Sequence, residues 1–255
     1  MPLAGLVQYP RRRVGHDRLP PRHPRPMIVG RGLLAHAFKP HFGADDGVVV
    51  FASGVSNSLE TRDSEFAREA ALLRDVLATG PQRLVYFGSC GVTSAHDGLT
   101  PYMQHKKRME SIALSSPGGL VIRLPQVVGP TGNPHTLTNF LRDRIVAGEP
   151  FTVWANAQRN LIDICDIVDI ASVLIRETGR DPRVIPVAAR ESLFMPQIVA
   201  IFERVLGRPA RCSVIEAGSP MDIDTTTATE VGSRLGIDLG DGYAERVIRK
   251  YYACG

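Results

Sequence analysis

From Met27 onward, short apolar runs rich in β-branched residues alternate with longer stretches whose apolar positions recur every three or four residues. That alternation predicts strands and helices in turn, and hence an α/β fold with a mainly parallel, Rossmann-like sheet. The predicted strands are MIVG (27–30), VVVFAS (48–53), RLVYFGS (83–89), LVIRLP (120–125) and RVIPVA (183–188). The predicted helices are LLAHAFKPHF after the first strand, 64–80 closing on a glycine, the segment holding Tyr102, then 136–148, 166–179, 195–207 and a last one near Tyr243 to Tyr252. A further strand is expected between Trp154 and Arg159, and no internal repeat is visible.

At 255 residues and 44% hydrophobic composition, the chain can bury one large core, so residues 27–255 are expected to form one domain. The formal charge of +4 shrinks once it is located. Residues 1–26 hold six arginines and one acid, a net of +5, so the other 229 residues carry 24 basic and 25 acidic side chains, a net of −1. Such a body has no phosphate-backbone footprint, which argues against a nucleic-acid partner. The tail, with six prolines, is expected to be disordered, and Met27 is the expected natural start; the rival reading is a basic arm that contacts an acidic surface or a nucleic acid. No apolar run is long enough for a membrane span. Cys90, Cys165, Cys212 and Cys254 lie far apart with no metal-ligand spacing, so neither a metal site nor a disulfide framework is expected, and a reducing cytoplasmic setting follows.

The first strand runs into Gly30-Arg31-Gly32-Leu33-Leu34-Ala35, a G-x-G-x-x-A turn that opens a helix. In that context glycines let the backbone approach a pyrophosphate and the helix N-terminus presents free N–H groups, so a dinucleotide site is expected here. An acid about 20 residues on would read the adenosine ribose. At that spacing stands Val48 to Phe51, with Asp45 and Asp46 a little early. Tyr102 and Lys106 stand four apart on a helix and share a face, either as a proton-transfer pair or as part of a polar surface. A neighbouring ammonium lowers a phenol's pKa toward the working range of an acid or base. Ser89, at the end of the preceding strand, can hydrogen-bond the same substrate oxygen.

Together with RLPQVVGP (123–130) and RNLIDICDIVDIASVLI (159–175), these segments resemble the extended short-chain dehydrogenase/reductases, in the branch of sugar-nucleotide epimerases, dehydratases and reductases. The resemblance covers nearly all of residues 27–255. It implies that Tyr102 is the catalytic acid/base, that Lys106 lowers its pKa and grips the nicotinamide ribose, and that Ser89 polarises the substrate oxygen. NAD or NADP is the implied cofactor, lying against Gly30, Gly32, Leu33, Leu34, Ala52, Ser53, Gly54 and Pro125 as well as Tyr102 and Lys106. The substrate lobe falls within 129–160 and 183–255. The run from Gly129 through Phe140 resembles GDP-fucose synthases, which implies an acid/base role for His135 and substrate contacts from Asn133, His135 and Asn139. Trp154 and Arg159 are similarly implied to contact the substrate, with Arg159 holding the nucleotide diphosphate by charge-assisted hydrogen bonds.

Departures narrow the reaction. The 4,6-dehydratases follow their serine or threonine with an Asp-Glu pair where this chain has Cys90 and Gly91, so dehydration is disfavoured. The fucose-synthase cysteine falls at Gly91, which argues against a double epimerisation. Only 17 residues separate Gly30 from Val48, and VVVFASGVSNS resembles the family's fourth strand and its loop, so the second and third strands with their helix are expected to be missing. The alternative is that VVVF is the second strand. The reading that results is an NAD(P)-dependent epimerase or 4-keto reductase of a nucleotide-activated sugar, a homodimer serving polysaccharide assembly. The alternative is an inactive relative that binds nucleotide as a sensor or scaffold.

Overall fold

The computed structural model describes residues 27–93 and 98–253, so the arginine-rich tail and Cys254 lie outside the described residues. In chain order the elements are β1 (Ile28–Val29), α1 (Leu33–Phe42), β2 (Val48–Phe51), α2 (Asp63–Ala78), β3 (Arg83–Ser89), α3 (Pro101–Leu114), β4 (Gly119–Leu124), β5 (Gln126–Val128), α4 (Leu137–Ala147), β6 (Phe151–Trp154), β7 (Gln158–Arg159), β8 (Leu161–Asp163), α5 (Ile164–Glu177), β9 (Arg183–Pro186), β10 (Leu193–Phe194), α6 (Met195–Leu206), β11 (Cys212–Ile215), α7 (Thr226–Arg234) and α8 (Tyr243–Tyr252).

Five strands form the central sheet in the order β1-β2-β3-β4-β9, every neighbour pair parallel. Register puts Val50, Val85 and Leu120 on one face and Phe51, Tyr86 and Val121 on the other. Phe38 and Phe42 of α1 and the apolar stripe of α5 cover the first face. Ala70, Leu73 and Val76 of α2 with Met109 and Ala113 of α3 cover the second. The rings of Phe38 and Phe42 are fully buried. Each contributes roughly 2–3 kcal/mol by leaving water.

Strand order and helix placement together settle which strand VVVF is. A doubly-wound sheet runs 3-2-1-4-5-6, with its first strand inside. Here β1 is an edge strand bonded only to β2, and β2 sits between β1 and β3. A second strand would also sit there, but the helices after the first and second strands share a face, whereas α1 and α2 lie on opposite faces, so VVVF occupies the fourth strand's place and the sheet is cut short at the β1 edge. Handedness carries the same mark. The steps β1 to β2 and β2 to β3 run in one lateral direction, yet α1 and α2 cross opposite faces, so the two crossovers are of opposite hand. Simple crossovers are right-handed in about 98% of cases. A helix wound toward the missing side, rejoined to a strand on the other side, accounts for the exception.

Helix ends follow local chemistry. Thr100 accepts a hydrogen bond from the Met103 N–H and Pro101 occupies the first turn, fixing where α3 begins. Thr136 caps α4 in the same way, and Gly148 closes it in the left-handed conformation (φ 65°). The remaining strands pair in twos, β5 with β8, β6 with β11 and β7 with β10. Residues 155–157, between Trp154 and Arg159, are a turn joining β6 to β7 rather than the expected strand. Among the described residues no helix is long and apolar enough to cross a membrane.

Candidate active site

The carboxyl ends of β1, β2 and β3 bring the glycine turn, the loop after β2 and the Tyr102 helix together. Gly30 has φ 135°, and a Cβ there would lie 2.3 Å from the carbonyl oxygen of Ala52, so this position accepts only glycine. At Gly32 a Cβ would meet nothing within 4 Å. Among the described residues no side chain caps α1, so its first N–H groups are without a side-chain acceptor. Leu33 and Leu34 are half-buried in the first turn of α1, and Leu33 packs beside Gly129. Asp45 and Asp46 precede β2 at its amino end, a strand's length from this crevice, so neither can read a ribose there.

Gly54 brings the loop onto α3: a Cβ there would lie 2.6 Å from Lys106 Nζ and 3.0 Å from Glu69 Oε1. Ala52 and Ser53 are half-buried beside it, and Pro125 is half-buried just beyond β4. Tyr102 and Lys106 lie on one face of α3, with Lys106 Nζ 5.9 Å from the centre of the Tyr102 ring. Ser89 caps a short turn at the end of β3, where its hydroxyl accepts from the Gly91 N–H (3.2 Å), and it also interacts with the Tyr102 hydroxyl. Ser89, Tyr102 and Lys106 are thus gathered as expected.

The electrostatics differ from expectation. Lys106 is buried and donates to the Tyr86 hydroxyl (3.1 Å) and to Glu69 (3.3 Å). Glu69, fully buried on α2, also accepts from Tyr86 (2.8 Å), His105 Nε2 (2.9 Å) and the backbone N–H of Val55 (2.7 Å). Burial alone would raise the Glu69 carboxyl, but the His105 hydrogen bond, the Lys106 charge and the other donors bring it down to about 2. Burial lowers Lys106 from the ordinary lysine value, while Glu69 holds it up. The Tyr102 phenol is pushed up to about 12, first by burial and then by the Glu69 charge, with Ser89 pulling the other way. The expected downward shift from Lys106 is therefore not seen: burial is the larger cause of the rise, and the Glu69 carboxylate adds to it. A second buried pair, Glu110 with Arg123 (2.7 and 3.0 Å), stands behind Gly88. Cys90 is buried and its thiol is pushed up to about 12 by desolvation, which removes it as an acid/base.

Sequence reasoning missed Glu69, Tyr86, His105 and Glu110. A signal was present: Phe66, Ala70 and Leu73 define the apolar stripe of α2, and Glu69 sits on it.

On the substrate side the outcome is divided. His135 is exposed, with its backbone N–H on Asn133 Oδ1 (3.0 Å). Among the described residues no hydrogen bond joins its ring to Ser89, Tyr102 or Lys106. Asn139 is buried: its amide donates to the carbonyls of Thr131 (2.9 Å) and Asn133 (2.8 Å) and accepts from Tyr252 (2.8 Å). It clamps the 131–136 loop from below and has no donor left for a substrate, which corrects the expectation of direct contact. Trp154 is 50% exposed on β6. Arg159, half-buried on β7, gives one N–H to the Gln158 carbonyl (2.7 Å) and, among the described residues, pairs with no carboxylate; burial lowers its pKa.

Residues 33–188 match the family model of the NAD-dependent epimerase/dehydratase family. This chain belongs to that family. Solved structures with the same fold include dTDP-glucose 4,6-dehydratase from Bacillus anthracis in complex with NAD (17% identity, 86% of this chain and 74% of that chain, TM-score 0.63). UDP-glucuronic acid 4-epimerase from Bacillus cereus, in complex with UDP-glucuronic acid and NAD, is 16% identical over 87% of this chain and 79% of its own, with TM-score 0.61. UDP-glucose 4-epimerase from Thermotoga maritima, with UDP-glucose, is 16% identical over 86% and 80%, also at 0.61. No curated protein matches the sequence.

The family's dinucleotide fits this site unevenly. The bare N-terminus of α1 and the open space over Gly32 suit a pyrophosphate, and the Gly54, Tyr102 and Lys106 corner suits a nicotinamide ribose. The edge position of β1 removes the wall on which an adenosine ribose would be read.

Proposed function

We propose that this protein is an NAD(P)-dependent epimerase or 4-keto reductase of a nucleotide-activated sugar. The observation that carries the reading is the convergence of Ser89, Tyr102 and Lys106 beside Gly54, at the strand ends where the glycine turn opens. The cofactor, when bound, supplies the hydride exchange. Tyr102 transfers a proton to or from the sugar oxygen while Ser89 hydrogen-bonds the same oxygen. Lys106 presents its ammonium to the ribose and to the developing phenolate, and His135, on the 131–136 loop, serves proton transfer at a sugar carbon. Asn133, Trp154 and Arg159 line the substrate side, with the free N–H groups of Arg159 directed to the diphosphate. Segments 129–160 and 183–255 make up the substrate lobe. We place the protein in the cytoplasm as a homodimer in polysaccharide assembly, a setting that suits the free thiols of Cys90, Cys165 and Cys212.

One observation favours a second reading, an inactive nucleotide-binding scaffold: the edge position of β1 leaves the adenosine half without its wall. Incubation with NAD or NADP and a panel of nucleotide sugars separates the two. A rise in reduced-nicotinamide absorbance, or a sugar inverted without net absorbance change, with both lost in Tyr102→Phe, supports the enzyme. Dinucleotide binding without turnover of any sugar supports the scaffold.

A further inference from the structure

Glu69 has no place in the reading above, yet four donors converge on it from three parts of the chain: the loop after β2 through Val55, β3 through Tyr86, and α3 through His105 and Lys106. The geometry is closely built. Gly54 leaves room for Lys106 Nζ where any Cβ would stand 2.6 Å from it. The His105 ring is stacked on Phe66 at 4.4 Å, which fixes Nε2 toward Glu69 Oε2. Since a carboxylate only accepts, Nε2 carries the proton in this contact. A buried ammonium without a counter-charge releases its proton to escape desolvation.

We propose that Glu69 is a positioning residue, whose carboxylate keeps Lys106 charged in the interior and fixes its ammonium beside Gly54, where the proposed reaction needs it. This rests on the reading of Tyr102 and Lys106 as the reactive pair. The groups facing Lys106 are Glu69 from α2, Tyr86 from β3, and Tyr102 and His105 from α3. Glu110 of α3 adds a more distant negative charge already matched by Arg123 of β4. Glu69 is therefore the one carboxylate in hydrogen-bond contact with the ammonium among the described residues.

The test follows the Lys106 ammonium by NMR across pH in the full chain without cofactor or substrate, with Lys106→Arg identifying its signal. In Glu69→Gln the Lys106 midpoint is expected to fall by about one pH unit or more, a tenfold loss of proton affinity. The basic limb of the kcat/KM profile should move in the same direction. An unchanged Lys106 midpoint overturns the proposal. If Glu69→Gln does not fold, the double variant Glu69→Gln/Lys106→Met carries the test. Removing both charges should restore folding that each single change impairs. A double variant no more stable than the weaker single one counts against the pair. Failure of Tyr102→Phe to affect turnover would sink the proposed function and leave this titration standing.

Discussion

Gly30 and Ala52 meet so closely that a Cβ on the glycine would stand 2.3 Å from the Ala52 carbonyl oxygen. This contact joins the glycine turn to the loop that leads to Lys106, across two strands that are neighbours just as the first and fourth strands of a full doubly-wound sheet are. Gly30→Ala should strain a φ of 135° and push the strand ends apart. A loss of at least about 2 kcal/mol in urea unfolding is expected, together with loss of dinucleotide binding by calorimetry. Unaltered binding would show that the turn does not hold the cofactor.

Tyr102→Phe removes a hydroxyl that interacts with Ser89. Turnover should drop roughly a hundredfold to ten-thousandfold, with dinucleotide affinity nearly unchanged. Steady-state rates beside a binding isotherm check both parts.

Acid should destabilise the fold through Glu69. Its carboxyl lies at about 2 in the folded protein against an ordinary value of 4.5. A lowered pKa contributes stability that is present above the unfolded value and is lost as pH falls toward the folded one. On the order of 3 kcal/mol should therefore disappear between about pH 4.5 and pH 2. Urea midpoints measured down that range should flatten in Glu69→Gln.

Asn139→Ala should act on the substrate side without touching substrate. It takes the Asn139 amide away from the Thr131 and Asn133 carbonyls and the Tyr252 hydroxyl, and only Thr136 still donates to Asn133 among the described residues. A cost of about 2–4 kcal/mol is expected by thermal unfolding, and amide exchange should quicken across 131–136.

Among the described residues no carboxylate pairs with the Arg159 guanidinium. Arg159→Ala should raise KM for the nucleotide sugar at least about tenfold while sparing dinucleotide affinity. Arg159→Lys should recover only part of the loss, because a single ammonium cannot bond two phosphate oxygens in parallel.

The helices were legible because their signals are local. LLAHAFKPHF coincides with α1, Thr100 and Thr136 are short-range caps, and Gly148 ends α4 through its own backbone freedom. The strands of the central sheet were legible for the same reason, as continuous β-branched runs, and RLVYFGS matches β3 residue for residue. The two-residue strands β7 and β10 were not, since nothing in two residues distinguishes a strand and only their pairing with each other makes them one. Helix α7 also escaped notice: its 226–234 stretch, TTATEVGSR, is built largely of threonine, glycine and serine, which are poor helix formers, and the face it buries is made of small residues, Ala228, Val231 and Gly232.

Sequence alone determined the glycine turn and the Ser89, Tyr102 and Lys106 set, because each depends on residue type and near spacing. Tertiary structure decided the charge state of that set. The groups that tune it reach Glu69 from 14, 17, 36 and 37 positions away, and a carboxylate's environment is made by what folding brings around it rather than by its neighbours along the chain.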